Sequence, residues 1–272
     1  MAPVMCCGCP GCSSASQRER RAEWYDKYFA QAMHTTMGTY EAAIAPVKEE
    51  LFQRLLGPAP GCGGSSGGSS GGSSASGDGG GSSGGSGGGR GLRLLEIGIG
   101  TGPNLSYMAR ALGPDGLPAL HITGLDPNPQ MQPFCRESAA AAGLGPGQLE
   151  LVEGSAEAMP FEDGAFDAAV ITLVLCSVPS PAAALSEVRR VVAPGGRLAL
   201  IEHVAAPPSK PLLALGQRVF DPLQGLVADG CHLTRDTGRA LREGGFDASG
   251  VRSFEVPGLS ILAPHIAGIV QL

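Results

Sequence analysis

The chain is poor in rings and in charge. Aromatic residues make up 5% of its 272 positions, with a single tryptophan, and Asp, Glu, Lys and Arg together reach 16%. The formal net charge is -6. That balance excludes a general nucleic-acid partner, which needs a basic face to displace counterions. No run approaches the roughly 18 apolar residues of a membrane helix. The expectation is therefore a soluble protein without a transmembrane segment, with room left for peripheral membrane contact. The first residues lack the charged and apolar regions of a secretory signal. They also lack any acid before Glu19, and this Ser- and Arg-containing start faintly resembles an organelle transit peptide. Cytoplasmic and organelle-targeted readings both stay open.

Cysteine is present but not in a pattern that builds a framework. Cys6, Cys7, Cys9 and Cys12 crowd the N-terminus, while Cys62, Cys135, Cys176 and Cys231 are scattered. The scattered four read as free thiols in a reducing compartment. Cys9-x-x-Cys12 has ligand spacing, but no second Cys or His pair follows at zinc-finger distance, so no metal is expected. A non-binding tail is the preferred reading, ahead of palmitoylation at Cys6 or Cys7.

Small and apolar residues are abundant: 43 glycines, and a hydrophobic fraction of 43% that allows a sizeable core. Of the 31 residues from Gly61 to Gly91, 27 are Gly or Ser. Such a segment buries too little apolar surface to offset its ordering entropy. The chain thus divides into a Cys-containing tail (1–17), a helical segment (18–57), a Gly/Ser-rich linker (58–91) and a catalytic-type domain (92–272). In the helical segment, Trp24, Tyr25, Tyr28, Phe29 and Ala32 share one spacing and Ile44, Val47, Leu51 and Leu55 another. Pro46 is placed to kink or divide them. Tyr25 and Tyr40 are minor candidates for lids.

From Leu92 onward strands and helices alternate. Strands are expected over Leu92–Ile97, Leu120–Leu125, Leu149–Glu153, Phe166–Thr172 and Arg197–His203. Helices are expected near Asn104–Leu112, Pro129–Ala142, Pro181–Val192 and Thr234–Glu243. Near-continuous apolar strands with helices between them imply a parallel sheet covered on both faces. Val251–Val256 and His265–Val270 read instead as an antiparallel pair at one edge.

The most informative stretch is Leu94-Leu95-Glu96-Ile97-Gly98-Ile99-Gly100-Thr101-Gly102. A buried strand ends in an acid and opens into glycines at alternate positions, which let a ligand approach the backbone closely. A dinucleotide loop wants G-x-G-x-x-G; here the third glycine comes one residue early and Pro103 follows. A structural turn or another nucleotide site is the competing reading. The second strand ends in Asp126-Pro127-Asn128, where a carboxylate can accept both ribose hydroxyls.

The pattern E-x-G-x-G-x-G resembles motif I of the class I S-adenosylmethionine (SAM) methyltransferases. Gly154-Ser155-Ala156-Glu157-Ala158-Met159-Pro160-Phe161 resembles the G-D-A-E-x-L-P-F block of the ubiquinone and menaquinone methyltransferases. Ser155 stands where that block carries the acid that touches adenine. Farther on, Thr172–Val178, Glu202-His203-Val204-Ala205, Asp229–Arg235 and Pro264-His265-Ile266 are similar to the methyltransferase-like 7 family of thiol S-methyltransferases.

The resemblance implies an α/β fold: a Rossmann-like, seven-stranded, mostly parallel sheet with a C-terminal antiparallel hairpin. It implies SAM as cofactor, held by Glu96, Gly98, Gly100, Gly102, Asp126, Pro127, Ser155, Ala156, Thr172 and Leu173. The partner implied is a small-molecule methyl acceptor, and the chain is expected to be a monomer. A thiol acceptor is the first reading; O- or C-methylation of a lipid or quinone, or a non-catalytic SAM-binding module, are the others. His203, at the end of the fifth strand, is a candidate acid/base, as are Asp229 and His232, read together as a second pair. Asp229 also reads as the corner of an Asp-Gly turn. Cys176 reads as a buried small hydrophobe and His265 as structural.

Overall fold

The computed structural model describes residues 23–57 and 91–272. The expected N-terminal tail and most of the Gly/Ser linker lie outside the described residues.

Seven strands form one sheet: β1 (Leu92–Ile97), β2 (Leu120–Asp126), β3 (Leu149–Glu153), β4 (Phe166–Thr172), β5 (Val192–His203), β6 (Val251–Glu255) and β7 (Pro264–Gln271). Their spatial order is β3-β2-β1-β4-β5-β7-β6. The first five are parallel, and β7 runs antiparallel to both β5 and β6. The last strand is thus interior and β6 forms the edge. This is the seven-stranded methyltransferase sheet expected from the sequence. The strand order reverses at β1/β4, where an open α/β sheet leaves a crevice at the strands' carboxyl ends.

The helices are α1 (Glu23–Thr36), α2 (Gly38–Leu56), α3 (Leu105–Gly116), α4 (Gln132–Ala141), α5 (Pro181–Val191), α6 (Pro211–Val227) and α7 (Thr237–Glu243). On one face of the sheet Leu185 and Val188 of α5 and Leu241 of α7 pack over Ile97, Ile171 and Leu200. On the other, Leu51, Phe52 and Leu55 of α2 pack with Met108 of α3 over Leu94 and Val170. The start of α5 follows its sequence: Ser180 Oγ accepts the Ala183 N–H at 3.2 Å and Pro181 occupies the first turn.

Several local expectations are corrected. Pro46 sits inside α2 without dividing it; the break falls at Met37, between α1 and α2. β5 begins at Val192 rather than Arg197, because the chain pairs with Phe166 before a register shift and then continues through Pro194-Gly195-Gly196. The C-terminal helix starts at Thr237 rather than Thr234, where Asp236 Oδ1 accepts the Arg239 N–H at 2.8 Å. Helix α6 was not anticipated. Pro207, Pro208, Pro211 and Pro222 punctuate its sequence, yet Pro211 stands in its first turn, where the missing N–H costs nothing. Its apolar residues Leu212, Val219, Leu223 and Leu226 are exposed, so no buried stripe marked it.

Candidate active site

The loops after β1, β2, β3 and β4 meet in one cavity of about 340 Å³, roofed by α1 and the start of α2. Its size falls within the roughly 300–1,000 Å³ of small-molecule sites. Gly98, Gly100, Asp126, Pro127, Ser155, Ala156, Thr172 and Leu173, drawn from four separate segments, all line it.

The glycine loop takes the shape that its spacing suggests. Gly98, Gly100 and Gly102 all have positive φ. A Cβ at Gly98 would lie 2.4 Å from Val174 Cγ2, whereas a Cβ at Gly100 would meet nothing within 4 Å. Gly98 is therefore required by the protein, while the space beside Gly100 belongs to the cavity. Asp126 ties the loops together: its Oδ2 accepts the Gly100 N–H and its Oδ1 the Asn128 N–H, both at 2.9 Å.

Glu96 and Gly102 stand behind the cavity rather than in its wall. Gly102 allows close packing against Leu105 Cδ1 and Cys135 Sγ. Glu96 is buried, and its Oε1 accepts the Asn104 Nδ2–H at 2.7 Å; Asn104 also reaches Thr172 Oγ1 at 3.1 Å. Burial pushes the Glu96 carboxyl up to about 7.

Ser155 replaces the expected acid, but its hydroxyl bonds Glu157, whose side chain also lines the cavity. The carboxylate on this wall comes from two residues farther along. Arg190 braces the same segment, donating to the Phe161 and Met159 carbonyls at 2.6 and 3.0 Å and to Glu187.

The loop after β4 is held by a residue that pattern reading passed over. Glu202 is fully buried on β5; its Oε1 accepts the Val174 and Leu175 N–H groups at 2.8 Å and its Oε2 that of Cys176 at 3.2 Å. Burial pushes its carboxyl up to about 7 against the pull of those bonds. Leu173 is forced to φ 57 at the start of this loop. Asp229, on the loop after α6, has φ 54 and lies against the same cavity. With Gly230 at φ 77 it makes the Asp-Gly corner as well. Backbone strain thus collects at the cavity wall.

The histidines are distributed differently from the sequence reading. His203 and His232 do not line the cavity. His203 is buried, with Nε2 2.9 Å from Cys231 Sγ. His232 Nδ1 bonds Asp221 Oδ2 at 3.0 Å, a partner on α6. His265 accepts from Tyr40 through Nε2 at 3.0 Å, which takes Tyr40 away from any lid position. Burial brings His265 down to about 4, so it stays neutral. Tyr25 is likewise absent from the wall and stacks on Phe29, which is part of it.

Helices α1 and α2 add residues that sequence reasoning missed: Phe29, Met33, His34 and Glu41. Glu41 pairs at 2.6 Å with Lys48, a lysine with no exposed surface, so the roof is anchored by a half-buried ion pair. Among the described residues no Lys or Arg lines the cavity, whereas Glu41, Asp126, Glu157 and Asp229 do. An acidic wall of this kind suits a cationic ligand.

Comparison with known proteins decides the family. Residues 95–200 match the family described as a methyltransferase domain. Thiol S-methyltransferase TMT1B of Homo sapiens is 38% identical over 177 residues, covering 64% of this chain and 68% of that protein. The chain belongs to the SAM-dependent methyltransferases. This methyltransferase is also similar to the ubiquinone/menaquinone biosynthesis C-methyltransferase UbiE of Methylobacterium nodulans, at 37% identity over 172 residues and 62% of each chain. Among solved structures, a SAM-dependent methyltransferase of Thermotoga maritima shares the fold with a TM-score of 0.56 over 92% of this chain and 99% of its own, at 15% identity. Its cofactor is SAM. The methyltransferase's cavity fits that group: an open face at Gly100, a carboxylate at the end of β2, and a wall that carries acids and, among the described residues, no Lys or Arg. Among the described residues no helix is long and apolar enough to cross a membrane.

Proposed function

We propose that the enzyme methylates the sulfur of a small thiol in this cavity. The supporting observation is the chemistry of the cavity wall outside the glycine loop. Met33, Met37, Leu173, Val174 and Val178 make it apolar, and its ionisable groups are carboxylates and His34. A thiol is far more acidic than an alcohol (a cysteine side chain ionises at about 8.5), so a weak base is enough to give the thiolate. An alcohol would need a far stronger one. The similarity to a thiol S-methyltransferase points the same way.

SAM, when bound, supplies a methyl group on a sulfonium, open to direct displacement. In this reading Gly100 lets the main chain approach the cofactor, Gly98 and Gly102 let the loop pack into that shape, and Asp126 takes the ribose hydroxyls. Pro127 shapes the adjoining turn. The Ser155–Ala156 main chain with Glu157 meets the adenine side, and Thr172 and Leu173 border the reacting end. Glu96 keeps the glycine loop in place through Asn104. The apolar residues after β4 exclude water and favour a step in which charge is lost. Asp229 is the group placed to take the thiol proton. His203 and His232 act behind it as positioning residues for the loop that carries it.

The test is methyl transfer from labelled SAM to a panel of small thiols, matched alcohols and quinols, with Gly100→Arg as the inactive control. Label on thiols alone, lost in the control, supports the proposal. Label on quinols alone would refute it in favour of the C-methylating relatives' chemistry, and binding of SAM without transfer to any acceptor would favour a binding module.

A further inference from the structure

Behind the cavity wall, three side chains from separate segments converge: Cys176 after β4, His203 at the end of β5, and Cys231 after α6. Their donor atoms all lie within 4.8 Å of one another and all three residues are buried. Neither the glycine loop nor the acidic wall uses them. The donors point at one sulfur. His203 Nε2 is 2.9 Å from Cys231 Sγ, Gln224 Nε2 donates to it at 3.6 Å, and the Cys176 thiol is its third neighbour. A buried sulfur with this surrounding is set up to carry negative charge. The direction agrees: the bond from Cys176, then that from His203, hold Cys231 well below the usual thiol range, while Cys176 rises well above it.

The same cluster has soft donors suited to zinc, but a metal-bound imidazole normally donates its second N–H to a carbonyl or carboxylate. His203 Nδ1 has no partner. The set is therefore better read as a thiolate with its donors than as a metal centre. Hydrogen bonds hold the two cysteine segments together without any cross-link. The His232 N–H donates to the Cys176 carbonyl at 2.8 Å, and Arg235 donates to the Leu175 carbonyl at 3.0 Å.

We propose that Cys231 is a peroxide-oxidisable thiolate and that Cys176 is its resolving partner, the two closing a disulfide between two loops that line the cavity. In the first step the Cys231 sulfur attacks hydrogen peroxide; an S–O bond forms, the O–O bond breaks and hydroxide leaves. The Cys176 sulfur then attacks the sulfenic sulfur; the S–S bond forms, the S–O bond breaks, and water leaves with the Cys176 proton. The two cysteines lose two electrons and the peroxide ends as water and hydroxide. An S–S bond of about 2.05 Å forces the two sulfurs together and removes the thiolate charge that His203 and Gln224 face. The affected loops carry Val174, Ser177 and Asp229 on the cavity side, whereas neither the Gly98–Gly102 loop nor Asp126 belongs to the segments that carry the two cysteines.

The experiment is peptide-level mass spectrometry of the full chain after a hydrogen peroxide titration. The wild-type protein is expected to yield a Cys176–Cys231 disulfide. Cys176→Ser should instead trap a sulfenic acid at Cys231, seen with a dimedone-type label, and Cys231→Ser should give neither. Oxidation at Cys231 is expected to run on the order of tenfold faster than at buried Cys135, and His203→Gln, which keeps both thiols, should slow it several-fold. Cys231 staying reduced while Cys135 oxidises would overturn the proposal. So would an unchanged rate in His203→Gln, or one equivalent of zinc in the purified protein that Cys231→Ser loses. The readout needs no acceptor, so its failure is distinct from failure of the thiol assignment.

Discussion

The approach of Gly98 to Val174 offers a quantitative test of how the cavity is built. Alanine at Gly98 has two costs. Its φ of 66° is left-handed, worth roughly 1–2 kcal/mol for a residue with a Cβ. The new Cβ also falls 2.4 Å from Val174 Cγ2, well inside the ~3.5–4.0 Å of a carbon contact, and overpacking costs roughly 1–3 kcal/mol. Gly98→Ala should therefore lose about 2–5 kcal/mol. Val174→Ala alone removes two half-buried methyl groups, for about 1 kcal/mol. Together the steric part vanishes, because the Val174 Cβ is an ordinary 3.5 Å from the new atom. The double variant should then be about 1–3 kcal/mol better than the sum of the singles. Urea denaturation with an unchanged m-value is the assay. A coupling below about 0.5 kcal/mol would refute the close approach of these two loops.

Asp229→Asn keeps a residue that tolerates the left-handed corner but removes the charge. Its melting temperature should hold while thiol methylation falls about tenfold or more; unchanged activity would reduce Asp229 to a turn residue. Glu96 titrates near 7 in the fold against an ordinary 4.5, because burial favours its neutral form. That contribution is fully present below about pH 4.5 and is lost as pH rises through 7, roughly 3 kcal/mol in all. Glu96→Gln should flatten this part of the stability profile in denaturant titrations between pH 4.5 and 8, and an identical profile would contradict it. Arg190→Ala frees the Met159 and Phe161 carbonyls and should cost about 2 kcal/mol. Because it releases the segment next to Ser155 and Glu157, calorimetry should also show weaker SAM binding, and unchanged affinity would detach that brace from the cavity.

Much of the parallel sheet was legible before any coordinates. β1 and β4 are buried on both faces, so their apolar runs are nearly continuous, and residues 120–125 and 149–153 fall between turn signals. The alternate glycines and the acid ending β2 were readable for the same reason: each is dictated by its immediate neighbours. Local pattern failed where stability comes from elsewhere. The prolines of α6 hid a helix whose apolar residues face outward, and Pro46 suggested a break that packing of Leu51, Phe52 and Leu55 overrides. In Glu202-His203 the sequence offered two polar residues at a strand end without saying which faced what. Alternation sends one to three main-chain N–H groups and the other to Cys231. The family, the cofactor and the carboxyl ends of the parallel strands were written in contiguous residues, and so could be read without the fold. The roof over the cavity and the meeting of Cys176, His203 and Cys231 depend on segments tens of residues apart, and the Asp221–His232 pair on the turn of the chain after α6. Only the pairing of β4 with β5 and the return of the chain after α6 bring them within bonding distance.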